Sequence, residues 1–330
     1  MAVSPKEILP PPPGIINSIK TGFDLIATHI TAILLPLLLN LFLWLGPRLR
    51  MDALFNSMKA DVLLIWKAGG IPAADIQRAM ELYETTIPRI NLFWIFHTLP
   101  IGISSLFLPQ EASQTPLGNP VILQVSAASL IIWIFFLTLF GWIGGGLYFR
   151  SVAWLTLSSV DTAQPLSVSR AIVQTILISI FWGMLSIFVG IPFFIILAVV
   201  LQFSSFLANL IVLFLSLASM WVIVPLFFWP HGVFIRQQNV VTSILSSVQM
   251  MRFTLPTSSM FVLTVFLLTF GLNFLWSIPP EDSWMTLLGI FGNSFVTTAL
   301  LAGSFVYYRD MNIWLQNVVD RLKLNSLKRA

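Results

Sequence analysis

Two groups in this chain stand close enough in sequence to share a proton, Asp24 and His29. Five residues turn a helix through about 140°, so their side chains do not lie on one face. The spacing favours an Asp at a helix end and a buried, hydrogen-bonded His over a proton-sensing pair. His97 and His231 have no carboxylate or second His at metal-ligand spacing. There are no cysteines for disulfides, thiolate ligation or nucleophilic attack. No phosphate loop, HExxH, GxSxG or paired-aspartate motif occurs. The expectation is a protein that is not an enzyme, with no catalytic residue, cofactor or metal of its own.

Milder polar residues make up the remaining candidates. Asn40, Gln124, Gln174, Asn209, Asn273 and Asn293 fall within apolar runs, and with Asp24 and His29 they form the candidate buried polar set. Such side chains line a substrate path or bond helices to one another, and packing is the favoured reading. In GWIGGG, Gly141 and Gly145 have the small-xxx-small spacing that lets helices approach closely. Pro36, Pro192 and Pro225 fall inside apolar runs and are expected to kink them.

The elements that must position these residues follow from composition. Of 330 residues, 57% are hydrophobic and only 9% charged, with a mean hydropathy of +0.90. A soluble domain carries about a quarter charged residues, so a soluble enzyme, a disordered chain and a nucleic-acid binder are all excluded. The net charge of +4 comes from basic residues in short segments between apolar runs, which is how membrane proteins orient themselves.

Charge-free stretches give the spans. They cover 23 residues after Asp24, 38 after Glu111, 65 after Arg170, 28 after Arg252 and 26 after Asp282. A spanning helix needs about 20 apolar residues, and the longest stretch holds two. The reading is an all-α integral membrane protein with about six transmembrane helices. These run over 22–46, 121–149, 171–201, 204–230, 256–278 and 284–308, the last five forming the remainder of the bundle at 121–308. A seventh stretch, 90–110, contains His97, Pro100 and Gly102 and reads as interfacial or re-entrant. Residues 1–21 form an N-terminal tail and interfacial helix. Residues 47–120 form an extracytoplasmic insert, with apolar stripes at Leu54, Phe55, Met58, Val62 and Ile65, and at Ile76, Met80, Tyr83 and Ile87, predicting a helical hairpin. Residues 309–330 read as a basic amphipathic tail on the inner membrane surface.

Short loops on the side of the termini are basic and those opposite are not. Both termini are therefore expected in the cytoplasm, with the protein in the cytoplasmic (inner) membrane. Three segments resemble one another: IINSIKTGFDLI at 15–26, LSVSRAIVQTIL at 166–177 and VVTSILSSVQMM at 240–251. GLYFRSVAW at 146–154 likewise matches SFVYYRDMNIW at 304–314, its aromatics and Arg reading as interface anchors. The pattern suggests three units, each an interfacial helix followed by a hairpin.

The Ser-rich helices QPLSVSRAIVQTIL and NVVTSILSSVQMMR, each leading into a hairpin, resemble the polytopic membrane-domain family related to the glycerophosphodiester phosphodiesterase membrane domain and its uncharacterised bacterial relatives. The resemblance covers about 160–310. In that family activity belongs to an appended soluble barrel, so the resemblance carries over no catalytic residue. The expected function is that of a non-enzymatic scaffold or accessory subunit binding a membrane or extracytoplasmic partner. The alternative is a transporter or lipid-handling protein. Expected partners are the lipid bilayer and a membrane protein, not nucleic acid.

Overall fold

The computed structural model describes residues 11–87, 90–107, 114–158 and 164–327. Lys6, Arg89, Glu111, Lys328 and Arg329, which entered the charge arguments above, lie outside these residues. The described chain is predominantly helical. Its helices are α1 (Ile15–Thr28), α2 (Leu34–Leu45), α3 (Asp52–Ala68), α4 (Ala73–Thr86), α5 (Ala127–Ser158), α6 (Val168–Leu185), α7 (Ile191–Phe203), α8 (Ser205–Arg236), α9 (Val240–Trp276) and α10 (Thr286–Leu327). Among the described residues, four helical stretches are long and apolar enough to cross a membrane, or six if each of two bent pairs counts as one span. Helices suit that setting because each satisfies its own backbone amides.

The run 22–46 is not one straight helix. A 97° bend separates α1 from the segment Ile30–Leu45, with a 3-10 turn at Ile30–Ile33. Pro36 explains where α2 can begin, since its ring displaces the helical bond to Ala32 and forbids α-helix through that turn. Pro192 acts more gently: α6 and α7 join through a π turn at Ser186–Gly190, which absorbs the bond lost at Phe188. Pro225 opposes the Trp221 carbonyl, and α8 bends by 41° between Ser216 and Trp221. The Ser-rich segments at 168–177 and 240–251 are not separate interfacial helices but the first turns of α6 and α9. Likewise the tail from Arg309 is no detached surface helix, because α10 runs unbroken through it to Leu327.

The chain forms two compact units. One comprises Met1–Ile30, Phe149–Thr269 and Thr298–Ala330. Its core is aromatic: Phe228, Phe234, Phe261, Phe305, Tyr307 and Tyr308 are buried, with Phe261 stacked on Tyr307 at 4.0 Å. The YF and YY pairs expected as interface anchors are therefore interior, Tyr148 and Phe149 being buried as well. Their neighbouring arginines tie chain ends together. Arg150 Nε donates to the Leu166 carbonyl at 2.6 Å, and Arg309 Nη1 to that of Thr156 at 2.7 Å. α1 docks through Ser18, Gly22 and Ile26, which recur every four residues on one buried face. A Cβ on Gly22 would stand 2.4 Å from the Ala299 carbonyl oxygen and the Gly303 nitrogen, so only glycine permits this crossing.

The other unit comprises Thr31–Tyr148 and Phe270–Thr297. Leu43, Trp44, Leu49, Leu92, Phe93, Leu106 and Phe107 form its core with Val125, Leu137 and Ile290. It contains strand structure that the all-α reading did not include. β1 (Arg48–Arg50) and β2 (Ile122–Gln124) pair in parallel, Arg48 opposite Ile122 and Arg50 opposite Gln124. Three-residue strands with charged or polar ends leave no alternation to read from sequence. α3 and α4 form a helical hairpin in which Ile76 is the one buried residue. The described part of the 90–110 stretch, residues 90–107, is not a spanning helix. A 3-10 turn at Leu92–Phe96 gives way to irregular backbone with a cis Leu99–Pro100 bond, and Leu106 and Phe107 return to the core.

Candidate functional site

The irregular segment 90–107 is held by Asn40. The buried Asn40 side chain accepts from the Leu106 N–H at 2.8 Å and the Ser105 hydroxyl at 3.1 Å. It donates to the carbonyls of Pro36 at 2.7 Å and Ser104 at 3.3 Å. Both its oxygen and its nitrogen are thus committed to fixing backbone that has no helix to pair in. Asn273 reaches the same place, donating to the Ser105 carbonyl at 3.5 Å. Opposite lie Gly141 and Gly145. Cβ atoms there would meet Thr98 Cγ2 at 2.6 Å and the Ile101 carbonyl oxygen at 2.7 Å. The small-xxx-small pair therefore receives a loop backbone rather than a second helix. Gly141 and Gly145 lie about 21 and 27 Å along α5 from Ala127 at a rise of about 1.5 Å per residue. The segment thus turns back far along a helix of spanning length. His97 Nδ1 bonds the Ile103 carbonyl within it, and its ring lies against Trp94. At the opposite end of α5 from that tip, Asn91 Oδ1 accepts from Leu49 N at 3.0 Å. The buried Arg48 donates to the carbonyls of Leu43 and Trp44, closing α2 where its carbonyls run out.

The other sequence candidates do not converge. Asp24 is exposed because α1 buries the face through Gly22 and Ile26, and two residues from either is about 200° around the helix. His29 is also exposed rather than buried, lying just past the end of α1 with Nδ1 3.1 Å from the Leu25 carbonyl. Gln124 is exposed on β2, where it donates to Asp52 at 3.0 Å. Asn209 is exposed because its neighbour Ala208 takes the covered face of α8. Gln174 caps the start of α9, accepting from Val240 N at 3.0 Å. Asn293 is buried, and its backbone carbonyl accepts from Thr297 at 2.7 Å. In the α3–α4 hairpin Phe55 meets Tyr83 edge-on at 5.4 Å. Burial raises the Tyr83 hydroxyl above its ordinary pKa, against the opposing pull of Lys59.

One buried pair has the residue types of a nucleophile and its base. His231 Nε2 lies 2.7 Å from Ser304 Oγ, inside the aromatic core between Phe227 and Phe305. The Ser304 hydroxyl also lies 2.7 Å from the Leu301 carbonyl, and the rings of Phe227, Phe228 and Phe305 pack around the imidazole. Sequence reading had missed Ser304 as well as the close crossing of α8 and α9. There a Cβ on Gly232 would stand 2.1 Å from Ser243 Oγ, which donates to the Trp229 carbonyl at 2.6 Å. The signals were present as small residues four apart, in Ser18–Gly22, Ala299–Gly303 and Ser243–Ser247. Among the described residues, no three His, Asp or Glu side chains group as a metal site.

Among the described residues, two surfaces stand out. The first is the hairpin of α6, α7 and the outer part of α8. The most apolar window of Val168–Phe203 has a mean hydropathy of 2.8 and is 0% buried. Neither the π turn nor α7 has a buried residue. The second is a groove of about 500 Å³ at the end of α8, lined among others by Arg236, Ser246, Phe253, Asn312, Val319 and Asp320.

Comparison with known protein families, with curated proteins and with solved structures finds no match.

Proposed function

We propose that this is a multi-pass protein of the cytoplasmic (inner) membrane that acts as a non-enzymatic scaffold or accessory subunit. It presents the hairpin 168–223 to an apolar spanning helix of a partner protein. The observation that carries the reading is the hairpin's lack of cover combined with its small residues. Thr175, Ser179 and Gly183 recur every four residues along α6. The first two are buried by the chain itself, while Cβ atoms at Gly183 and Gly190 would meet nothing within 4 Å. A glycine inside a helix costs about 1 kcal/mol relative to alanine, a cost repaid when another backbone packs against it. Exposed Phe188, Phe194 and Phe206 flank this stripe with large apolar area.

The proposal includes six spans, termini in the cytoplasm, and an extracytoplasmic insert at 47–120 whose segment 90–107 re-enters beside α5. Kinship with the membrane-domain family named above belongs to it too, resting on the Ser-rich starts of α6 and α9. Transport is the less favoured reading. Asn40 and Asn273 are spent on one loop, Gln174 on a cap, and Asn209 faces outward, so no polar path joins these candidates.

Native mass spectrometry after mild extraction tests the proposal, comparing the parent with Gly183→Phe. The expected result is a stoichiometric second protein that the substitution removes. No protein partner, a second copy alone, or equal retention by both forms contradicts it.

A further inference from the structure

The groove at the end of α8 is not used by the proposal above, and its chemistry is specific. On its polar side Arg236 Nη1 donates to Asn312 Oδ1 at 3.2 Å. Asn312 is itself fixed, its amide donating to the Tyr308 carbonyl at 2.7 Å and lying 3.4 Å from Met250 Sδ. A neutral amide therefore orients the guanidinium without cancelling its charge. Among the described residues neither Arg236 nor Asp320, which lines the same groove, has an opposite charge within salt-bridge distance. The two do not quench each other, and Gln249 and Gln316 add amides that donate and accept. The remaining wall is apolar. Phe253 is 70% exposed and Val319 39% exposed, so the groove opens onto greasy surface on one side.

A cation, an anion, amides and an apolar rim together complement an amphipathic zwitterion. We infer that the groove binds the headgroup of a phosphatidylethanolamine lipid, with the phosphate on Arg236, the ammonium donating to Asp320, and the acyl chains leaving past Phe253 and Val319. Arg suits the phosphate because its planar fork donates two hydrogen bonds to paired oxygens. A carboxylate suits a primary ammonium, which donates N–H bonds; a choline headgroup has none to give. The apolar rim favours a lipid over the same headgroup free in solution, since only the lipid has acyl chains to lie against Phe253 and Val319.

The test uses the full chain in detergent micelles, titrated separately with dioleoyl phosphatidylethanolamine and dioleoyl phosphatidylcholine, with bound lipid counted by native mass spectrometry. The expected result is about tenfold tighter retention of the ethanolamine lipid, falling about tenfold in Arg236→Gln, in line with loss of a charged hydrogen bond. Asp320→Asn should erase the preference between the two lipids while leaving some binding of both. Asp320 is exposed, so this variant folds and reports on the groove alone. Equal retention of both lipids by the parent overturns the inference, as does an unchanged preference in Asp320→Asn. Displacement of the lipid by soluble phosphoethanolamine at the same concentration overturns the lipid assignment.

Discussion

Replacing Asn40 by Leu should release the 90–107 segment without unfolding the rest of the chain. The substitution conserves volume roughly but removes the acceptor of the Leu106 N–H, 2.8 Å away, on a residue that is 5% exposed. An orphaned buried donor costs roughly 1–3 kcal/mol, and loss of the Ser105 and Ser104 bonds adds about 0.5 kcal/mol each in a membrane protein. The total is about 3 kcal/mol, which raises the population of the open loop about 100-fold. The absence of native cysteine makes this measurable. Thr98→Cys places a thiol where the side chain is 8% exposed against Gly141. Its alkylation by a water-soluble maleimide should be slow in the parent and about 100-fold faster with Asn40→Leu. A second reporter, Ala302→Cys, sits at a fully buried position in the other unit and should stay protected in both backgrounds. If Thr98→Cys labels within about threefold of the parental rate, Asn40 does not hold the loop and the hydrogen-bond reasoning fails.

Gly22→Ala should cost about 3 kcal/mol or more, because its Cβ meets only backbone, and thermal melts should show the loss. Gly183→Ala, with open space around it, should leave the melt unchanged or slightly raised. Gly232→Ala should destabilise, and adding Ser243→Gly should recover at least about 1 kcal/mol, since the clash is chiefly with the Ser243 hydroxyl; a double-mutant cycle measures the coupling. Glu84→Gln should change stability by less than about 1 kcal/mol, because the Lys59–Glu84 bridge has side chains 37% and 59% exposed and is screened by water. A larger loss in a melt of this variant would show the α3–α4 hairpin to be more tightly held than its shallow packing implies.

Much of the architecture was readable because apolar length is a one-dimensional signal. The long helices lie where charge-free runs exceed about 20 residues. The stripes at Leu54–Ile65 and Ile76–Ile87 fall within, or within one residue of, α3 and α4. What composition could not supply was where a helix ends inside an apolar run. The return of the 90–107 segment to the core at Ser104–Leu106 is set by tertiary hydrogen bonds to Asn40, which leave no periodicity to detect. Burial of the polar candidates was unreadable for a related reason. Asp24 and Asn209 sit in apolar runs yet face outward, because facing depends on which neighbour packs there. Aromatics beside Arg150 and Arg309 read as interface anchors, and the structure makes them core, because the same apolar ring suits either place. Gly141 and Gly145 read as helix-packing positions, whereas the structure sets a loop backbone against them, a distinction that spacing does not carry.

The central claim is that the hairpin 168–223 faces another protein. It is tested most directly by placing a photocrosslinking residue at Phe188, 75% exposed, in intact cells, with buried Phe305 as the control position. The account predicts a discrete adduct with a second protein from position 188, absent from position 305 and lost when Gly183→Phe is added. Adducts with lipid alone at position 188, or a protein adduct that Gly183→Phe leaves untouched, would contradict it.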